Sequence, residues 1–219
     1  MVGTSTPKRV PRSTASPVGV ITAELHEDGT VSVTNAGSGG TIFGIVSVGA
    51  STINICNNVI GSMMVNSATS DEGTSLVGIY ALNGTPTIRH NTVGSTTTSG
   101  SLNAATASTY GQHVTGILCS TDGAVIADNT VAGLNNNSVG AGYTMGVQTY
   151  SGANTITGNV VSNFSTTSRS TDTTTLQSVC GIMIDTGTLG QIVSQNVVHS
   201  LANTAASAAV CVTGIYYDG

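Results

Sequence analysis

The chain has 219 residues, a mass of 21.8 kDa, a formal net charge of −5 and a pI near 5.0. Only 7% of its residues are charged, 4% are aromatic, and Trp is absent. No apolar run approaches the roughly 18 residues of a membrane-spanning helix, and an acidic chain without a basic, aromatic-studded face is a poor nucleic-acid binder; what remains is one domain that neither inserts into a membrane nor binds nucleic acid.

In chain order, residues 1–17 are polar and punctuated by Pro7, Pro11 and Pro17, with Lys8, Arg9 and Arg12 close together. A basic start needs an apolar segment behind it to serve as an export signal, and Ser13 to Pro17 is polar and short. This stretch reads as a flexible leader. Residues 18–41 read as an irregular first rung or N-terminal cap: VGVITA as a strand, Asp28-Gly29 as a turn, TVSVT as a second strand. Glu24, Glu27 and Asp28 form the densest acidic cluster, expected on an exposed hairpin over an otherwise open strand edge.

From residue 42 onward the chain repeats itself. Gly44, Gly78, Gly116, Gly146, Gly181 and Gly214 open successive copies, at gaps of 34, 38, 30, 35 and 33 residues. A period in this range predicts stacked repeats. Short runs of β-branched residues and the low charge predict strands, not helices. After each opening glycine comes an apolar column (Ile45, Ile79, Ile117, Val147, Ile182, Ile215). Two residues on lies a second, on the same strand face (Ser47, Ala81, Cys119, Thr149, Ile184, Tyr217). A turn follows, with glycine at Gly49, Gly84, Gly123, Gly152, Gly187 and Gly219. A second strand carries Ile55, Ile88, Ile126, Ile156 or Val193. Three residues on stands an asparagine (Asn58, Asn91, Asn129, Asn159, Asn196), and two beyond it Ile60, Val93, Val131, Val161 or Val198. Ile88 and Val93 are five residues apart yet both look buried, so the chain must bend between them. Asparagine accepts the left-handed conformation such a bend needs and is the expected pivot.

The connectors Gly61–Ser75, Gly94–His113, Ala132–Thr144, Ser162–Ser178 and His199–Ala209 vary in length while the register does not. They predict loops gathered at one corner, with Tyr110, Tyr143, Phe164 and Arg169 as their few ligand-anchoring side chains.

The G-I…N/D-G…I-x-x-N-x-V register resembles the right-handed parallel β-helix proteins of the pectate-lyase-like superfold, over roughly Gly44 to Gly219. The resemblance implies an all-β, right-handed, single-stranded parallel β-helix of about five to six rungs with long loops at one corner. It also implies that the asparagines form a ladder of amides at the turn between the second and third sheets. Gly219 ends the chain inside a sixth copy, so residues 42–219 are expected to be a segment of a longer β-helix, or to be covered at the last rung by another subunit in an oligomer.

Enzymes of this superfold cleave polysaccharides with clustered carboxylates, sometimes with calcium and an arginine base; hydrolysis needs two carboxyls at a defined separation. Their paired-Asp, His-Gly and Arg-Ile-Lys signatures are missing here. Asp122 and Asp218 precede turn glycines, Asp185 precedes Thr186-Gly187, and Asp128 adjoins Asn129, so turn chemistry explains each. Asp122 and Asp185 with Arg89 are the least poor catalytic set, but no catalytic, metal or cofactor-binding residue is assigned and no cofactor is expected. His26, His90, His113 and His199 form no column, and Cys56, Cys119, Cys180 and Cys211 lack zinc-site spacing. Cys119 and Cys180 share strand parity with the isoleucine column and are expected in the core; a disulfide between neighbouring rungs stays open in an oxidising compartment. Thr85/Thr87 and Thr155/Thr157 hint at an ice-binding threonine column, which Ser-Thr-Ile and Ala-Val-Ile interrupt. The expectation is a non-catalytic, secreted or cell-surface scaffold or adhesin-like segment contacting polysaccharide or cell-surface glycan. The alternative is a polysaccharide lyase or glycoside hydrolase.

The register makes one prediction directly. Ile126→Asp should collapse the thermal transition by placing a charge in the stack, whereas Thr97→Asp, in a connector, should leave Tm unchanged. Equal shifts would refute the column assignment.

Overall fold

The computed structural model describes residues 21–25, 31–35, 40–49, 51–67, 74–105, 109–206 and 209–219. The expected leader (1–17) and the Asp28-Gly29 turn lie outside them. The described residues are all-β, with no helix, and their parallel sheets stack into a β-solenoid of about five turns.

Each complete turn contributes to all three sheets. The first sheet holds six strands: Thr41–Ser47, Ser75–Ala81, His113–Cys119, Tyr143–Thr149, Val179–Asp185 and Val212–Asp218. The second holds five: Thr52–Cys56, Thr85–Arg89, Val125–Ala127, Thr155–Thr157 and Ile192–Ser194. The third runs through Val59–Ile60, Thr92–Gly94, Thr130–Ala132, Val160–Thr166 and Val197–Asn203. Ile21–Leu25 and Val31–Asn35 pair antiparallel, and the latter joins the third sheet beside Met63–Ser67.

The apolar columns read from sequence are the pairing registers. Ile45, Ile79, Ile117, Val147, Ile182 and Ile215 align in the first sheet, and Ile55, Ile88, Ile126, Ile156 and Val193 in the second. Middle members such as Ile79, Ile117, Ile126 and Ile156 are fully buried. Each such side chain contributes roughly 1.5–3 kcal/mol by leaving water.

Between the second and third sheets the asparagines bond in one unbroken column. Asn91 Nδ2 donates to Asn129 Oδ1 at 3.0 Å and to the Ile55 carbonyl at 2.7 Å. Asn129 Nδ2 donates to Asn159 Oδ1 at 2.9 Å and to the Ile88 carbonyl at 2.8 Å, and Asn159 repeats the pattern onto Asn196 and Ile126. Each Oδ1 also accepts the backbone N–H of the preceding rung's asparagine. The amide thus satisfies a corner carbonyl and a corner N–H that burial would otherwise leave unpaired.

The left-handed pivot is not the asparagine itself, as expected from sequence, but the residue before it: Asn57, His90, Asp128, Gly158 and Gln195, with φ between 54° and 67°. The division of labour is physical. The asparagine must aim its amide inward along the stack, so its neighbour turns the corner. That conformation costs a non-glycine residue about 1–2 kcal/mol.

The connectors differ from the loop expectation in one respect. Part of each continues the third sheet, as Met63–Ser67, Leu102–Ala104, Leu134–Asn136 and the second halves of Val160–Thr166 and Val197–Asn203. They add an apolar column of Met63, Leu102, Leu134, Phe164 and Leu201. Phe164, expected in a loop, is therefore core, only 2% exposed. A second bend precedes this column, with left-handed Ser62, Gly133, Asn163 and Ser200. Alternation was hidden from the sequence because each bend resets it. The turn glycines Gly84, Gly123 and Gly152 take positive φ as expected, but in the fifth rung the residue is Gly190, not Gly187.

The repeat-opening glycines have a steric reason. They lie mid-strand, and a Cβ on Gly78, Gly116, Gly146 or Gly181 would strike the γ-carbon of Val93, Val131, Val161 or Val198 and the carbonyl of the next glycine. The first sheet thus approaches the third too closely for any side chain at this column.

Asn129→Ala should lower unfolding free energy by about 2–4 kcal/mol in urea titration, because the Ile88 carbonyl and the Asn91 N–H lose their buried partner. Asn58→Ala, at the end of the column, should cost less than half as much.

Candidate functional site

Alternation in the first sheet breaks at the glycine. Leu76 and Ile79 both face the interior although they are three positions apart, while Val77 and Tyr80 face outward. The outer face is therefore built from the residues one before and two after each glycine, plus those flanking the strand. This corrects one expectation. Cys119 lies in the main core, but Cys180 does not share the face of Ile182; it sits on the outer side with Met145 and Met183, in a separate apolar cluster. Burial pushes the Cys119 thiol up to about 11 and that of Cys180 to about 12, so neither is a ready nucleophile. All four cysteines are free.

Aromatic side chains collect on this outer face. The chain has six tyrosines and two phenylalanines. Phe43, Tyr80, Tyr143, Tyr150 and Tyr216 belong to the outer face or its margin, whereas Phe164 is core and Tyr217 follows the interior column. Tyr143 and Tyr216 rest on Met145, Cys180 and Met183, which are fully buried beneath them. Tyr143 stacks on His113 with centroids 3.9 Å apart, and Phe43 on Tyr80 at 5.4 Å. Rings held against a packed apolar bed and against each other have little freedom left to lose on binding. Phe43 and Tyr150 remain 37% and 39% exposed.

Polar groups are interleaved with the rings. Gln148 Nε2 donates to the Tyr150 hydroxyl at 2.7 Å, and Tyr150 also bonds the Tyr143 hydroxyl. Burial, then Tyr150, pushes the Tyr143 hydroxyl up; burial first raises Tyr150 as well. Gln148 Oε1 and His113 Nδ1 are buried without a hydrogen-bond partner. Burial lowers His113 to about 4, so this imidazole is neutral at physiological pH. At the edge of the face Asp185 pairs in register with Asp218. Loss of hydration, then the Asp218 charge, raises Asp185. Tyr216 is raised by the same loss and by Asp218, Asp172 and Asp185.

The least poor catalytic set from sequence is not assembled. The Asp122 carboxylate accepts the Ala153 N–H at 2.6 Å, joining consecutive turns. Arg89 is exposed on the second sheet, and Asp185 ends the fifth strand of the first. Asp128 is a left-handed corner residue. Among the described residues no three His, Cys, Asp or Glu side chains are placed to hold a metal ion. The threonine column is broken, since Val125 stands between Thr87 and Thr155, and Ala127 between Arg89 and Thr157. Of the connector side chains singled out from sequence, Tyr143 opens a strand of the first sheet and Arg169 is exposed in a loop. Sequence reasoning missed the aromatic face because it took alternation to run through the glycine. The trace that face left is aromatics at outward offsets from the glycine: Phe43 one before, Tyr143 three before, and Tyr80 and Tyr216 two after.

No protein-family model, no curated protein and no solved structure matches this chain.

The depressed His113 has a stability consequence. Its native value, about 4, lies below the ordinary 6.5, so the unfolded chain binds the extra proton between these values. Stability from the neutral ring is complete above pH 6.5 and is lost as pH falls toward 4, by up to about 3 kcal/mol. Tm should fall by several degrees across that window in the parent chain. In His113→Phe that part of the slope should be absent.

Proposed function

We propose that this chain is a non-catalytic β-helix scaffold of the secreted or cell-surface kind, adhesin-like, that contacts carbohydrate through the outer face of its first sheet. On this reading it groups with the right-handed, pectate-lyase-like β-helices and their Ser/Thr/Asn-rich surface repeat proteins. The amide column is then the asparagine ladder of that superfold. The observation that carries the reading is the gathering of Phe43, Tyr80, Tyr143, Tyr150 and Tyr216 on one face of a chain with eight aromatic residues. A sugar ring has an apolar C–H face and a rim of hydroxyls. Flat rings match the first, and the Tyr150 hydroxyl with the Gln148 amide matches the second. Low charge and hydroxyl-rich loops suit a rod exposed to water on every side.

A catalytic reading, as a polysaccharide lyase or glycoside hydrolase, draws on Asp185, which partial desolvation and then its neighbour Asp218 raise as a proton donor requires. Beside that pair the titratable groups are the hydroxyls of Tyr150 and Tyr216, both held protonated, and the strands of this sheet carry no Lys or Arg, so the scaffold is the better reading.

A glycan array followed by a depolymerase assay tests both. The expected result is binding without cleavage, weakened roughly tenfold by Tyr80→Ala or Tyr150→Ala with unchanged circular dichroism, in line with about 1 kcal/mol per aromatic contact. Release of shorter oligosaccharides that Asp185→Asn abolishes would establish the enzyme instead.

A further inference from the structure

We infer that the ligand of this face is an uncharged glycan chain lying across the strands, along the axis of the stack, and that the face rejects acidic polysaccharides. The inference rests on the carbohydrate reading above and narrows its ligand.

The direction follows from where the rings are. Phe43 belongs to the first strand of the sheet and Tyr216 to the sixth, with Tyr80 and Tyr143 on strands between them. Adjacent strands lie about 4.8 Å apart, so the rings span roughly 24 Å along the axis. Along the strand direction they run from Tyr143, three residues before its glycine, to Tyr150, four after it, but that pair belongs to one rung and the other rings lie on three further strands. A ligand that meets several rings must therefore be elongated and must cross the strands.

The charge preference follows from what the face lacks. The six strands carry no Lys or Arg, and His113 is held neutral by burial. The ionisable groups left are Asp185 and Asp218, stacked at one edge, with Asp172 close enough to act on Tyr216. A uronate or sulfate chain would set like charges against these carboxylates with no Lys or Arg on the six strands to compensate, and juxtaposed like charges are strongly unfavourable. An amino-sugar polymer would find carboxylates on only the last two strands, while the rings begin at the first. The polar groups at the centre, Tyr143, Tyr150 and Gln148, are uncharged. Gln148 is fully buried there with Oε1 unpaired, which is an independent sign of an unmet partner. An unpaired buried acceptor is costly, and a donating sugar hydroxyl would satisfy it.

The test is titration calorimetry on the intact chain, at low and high salt, with three oligosaccharide series of increasing length: neutral glucans and mannans, glucosamine oligomers, and polyuronates. Neutral oligomers should bind, gain affinity with length until they span the ring series, and keep that affinity at high salt. Uronates should bind at least tenfold more weakly. Asp185→Asn combined with Asp218→Asn should raise uronate affinity several-fold with little change for neutral sugars, and Gln148→Leu should weaken neutral binding. Uronates binding as well as neutral oligomers, or salt-sensitive binding of glucosamine oligomers alone, would overturn this inference and leave the carbohydrate reading standing. An affinity that does not grow with length overturns the axial placement. Binding of none of the three series overturns the carbohydrate reading, and this inference with it.

Discussion

The structure depends on one interaction, repeated: a buried asparagine amide bonded to the next rung's amide on one side and to a corner carbonyl on the other. A solenoid corner is the hardest place to satisfy backbone polar groups, because the sheet ladders are interrupted where the chain turns. Asn91, Asn129 and Asn159 meet that need with bonds of 2.7–3.0 Å while only 0–1% exposed. Because the donor and acceptor of one amide differ, the column also fixes register. A strand slipped by one residue would leave both the corner N–H and the corner carbonyl unpaired.

From that fixed corner the other features follow. The valines two residues beyond the asparagines point across the interior at the first sheet, and the mid-strand glycines are what admits them. The glycine in turn breaks strand alternation. The break sets Ile79 and Ile117 inward with Leu76 and Val114, and turns Tyr80, Gln148 and Tyr216 outward. A packing requirement of the core thus decides which side chains reach the surface.

The two levels differed in how far the sequence reveals them. Columns such as Ile88–Ile126–Ile156 were legible because each copy must bury the same apolar volume against its neighbour, which enforces the pattern at every rung. The asparagines were legible for the same reason. The left-handed corner was misplaced by one residue because that position faces solvent, where His90, Asp128 and Gln195 serve equally well and leave no common residue type. The Phe164 column was lost in a connector, because a second bend and a six-residue insertion after Gly94 obscure its spacing. The outer face was hardest of all, since its aromatics do not repeat: it carries Tyr80 in one rung, Gln148 in another and Met183 in a third, at one register position. Functional surfaces on solenoids need not repeat, and composition alone does not locate them.

The amide column also decides how the molecule bears load. Every tie between successive rungs points along the long axis, so a pull applied at the two chain ends opposes them one rung at a time instead of all together. Each rung that yields releases 30–38 residues, or roughly 100–130 Å of extended chain. A rod built this way dissipates tension in steps, like a tether that lengthens before it breaks.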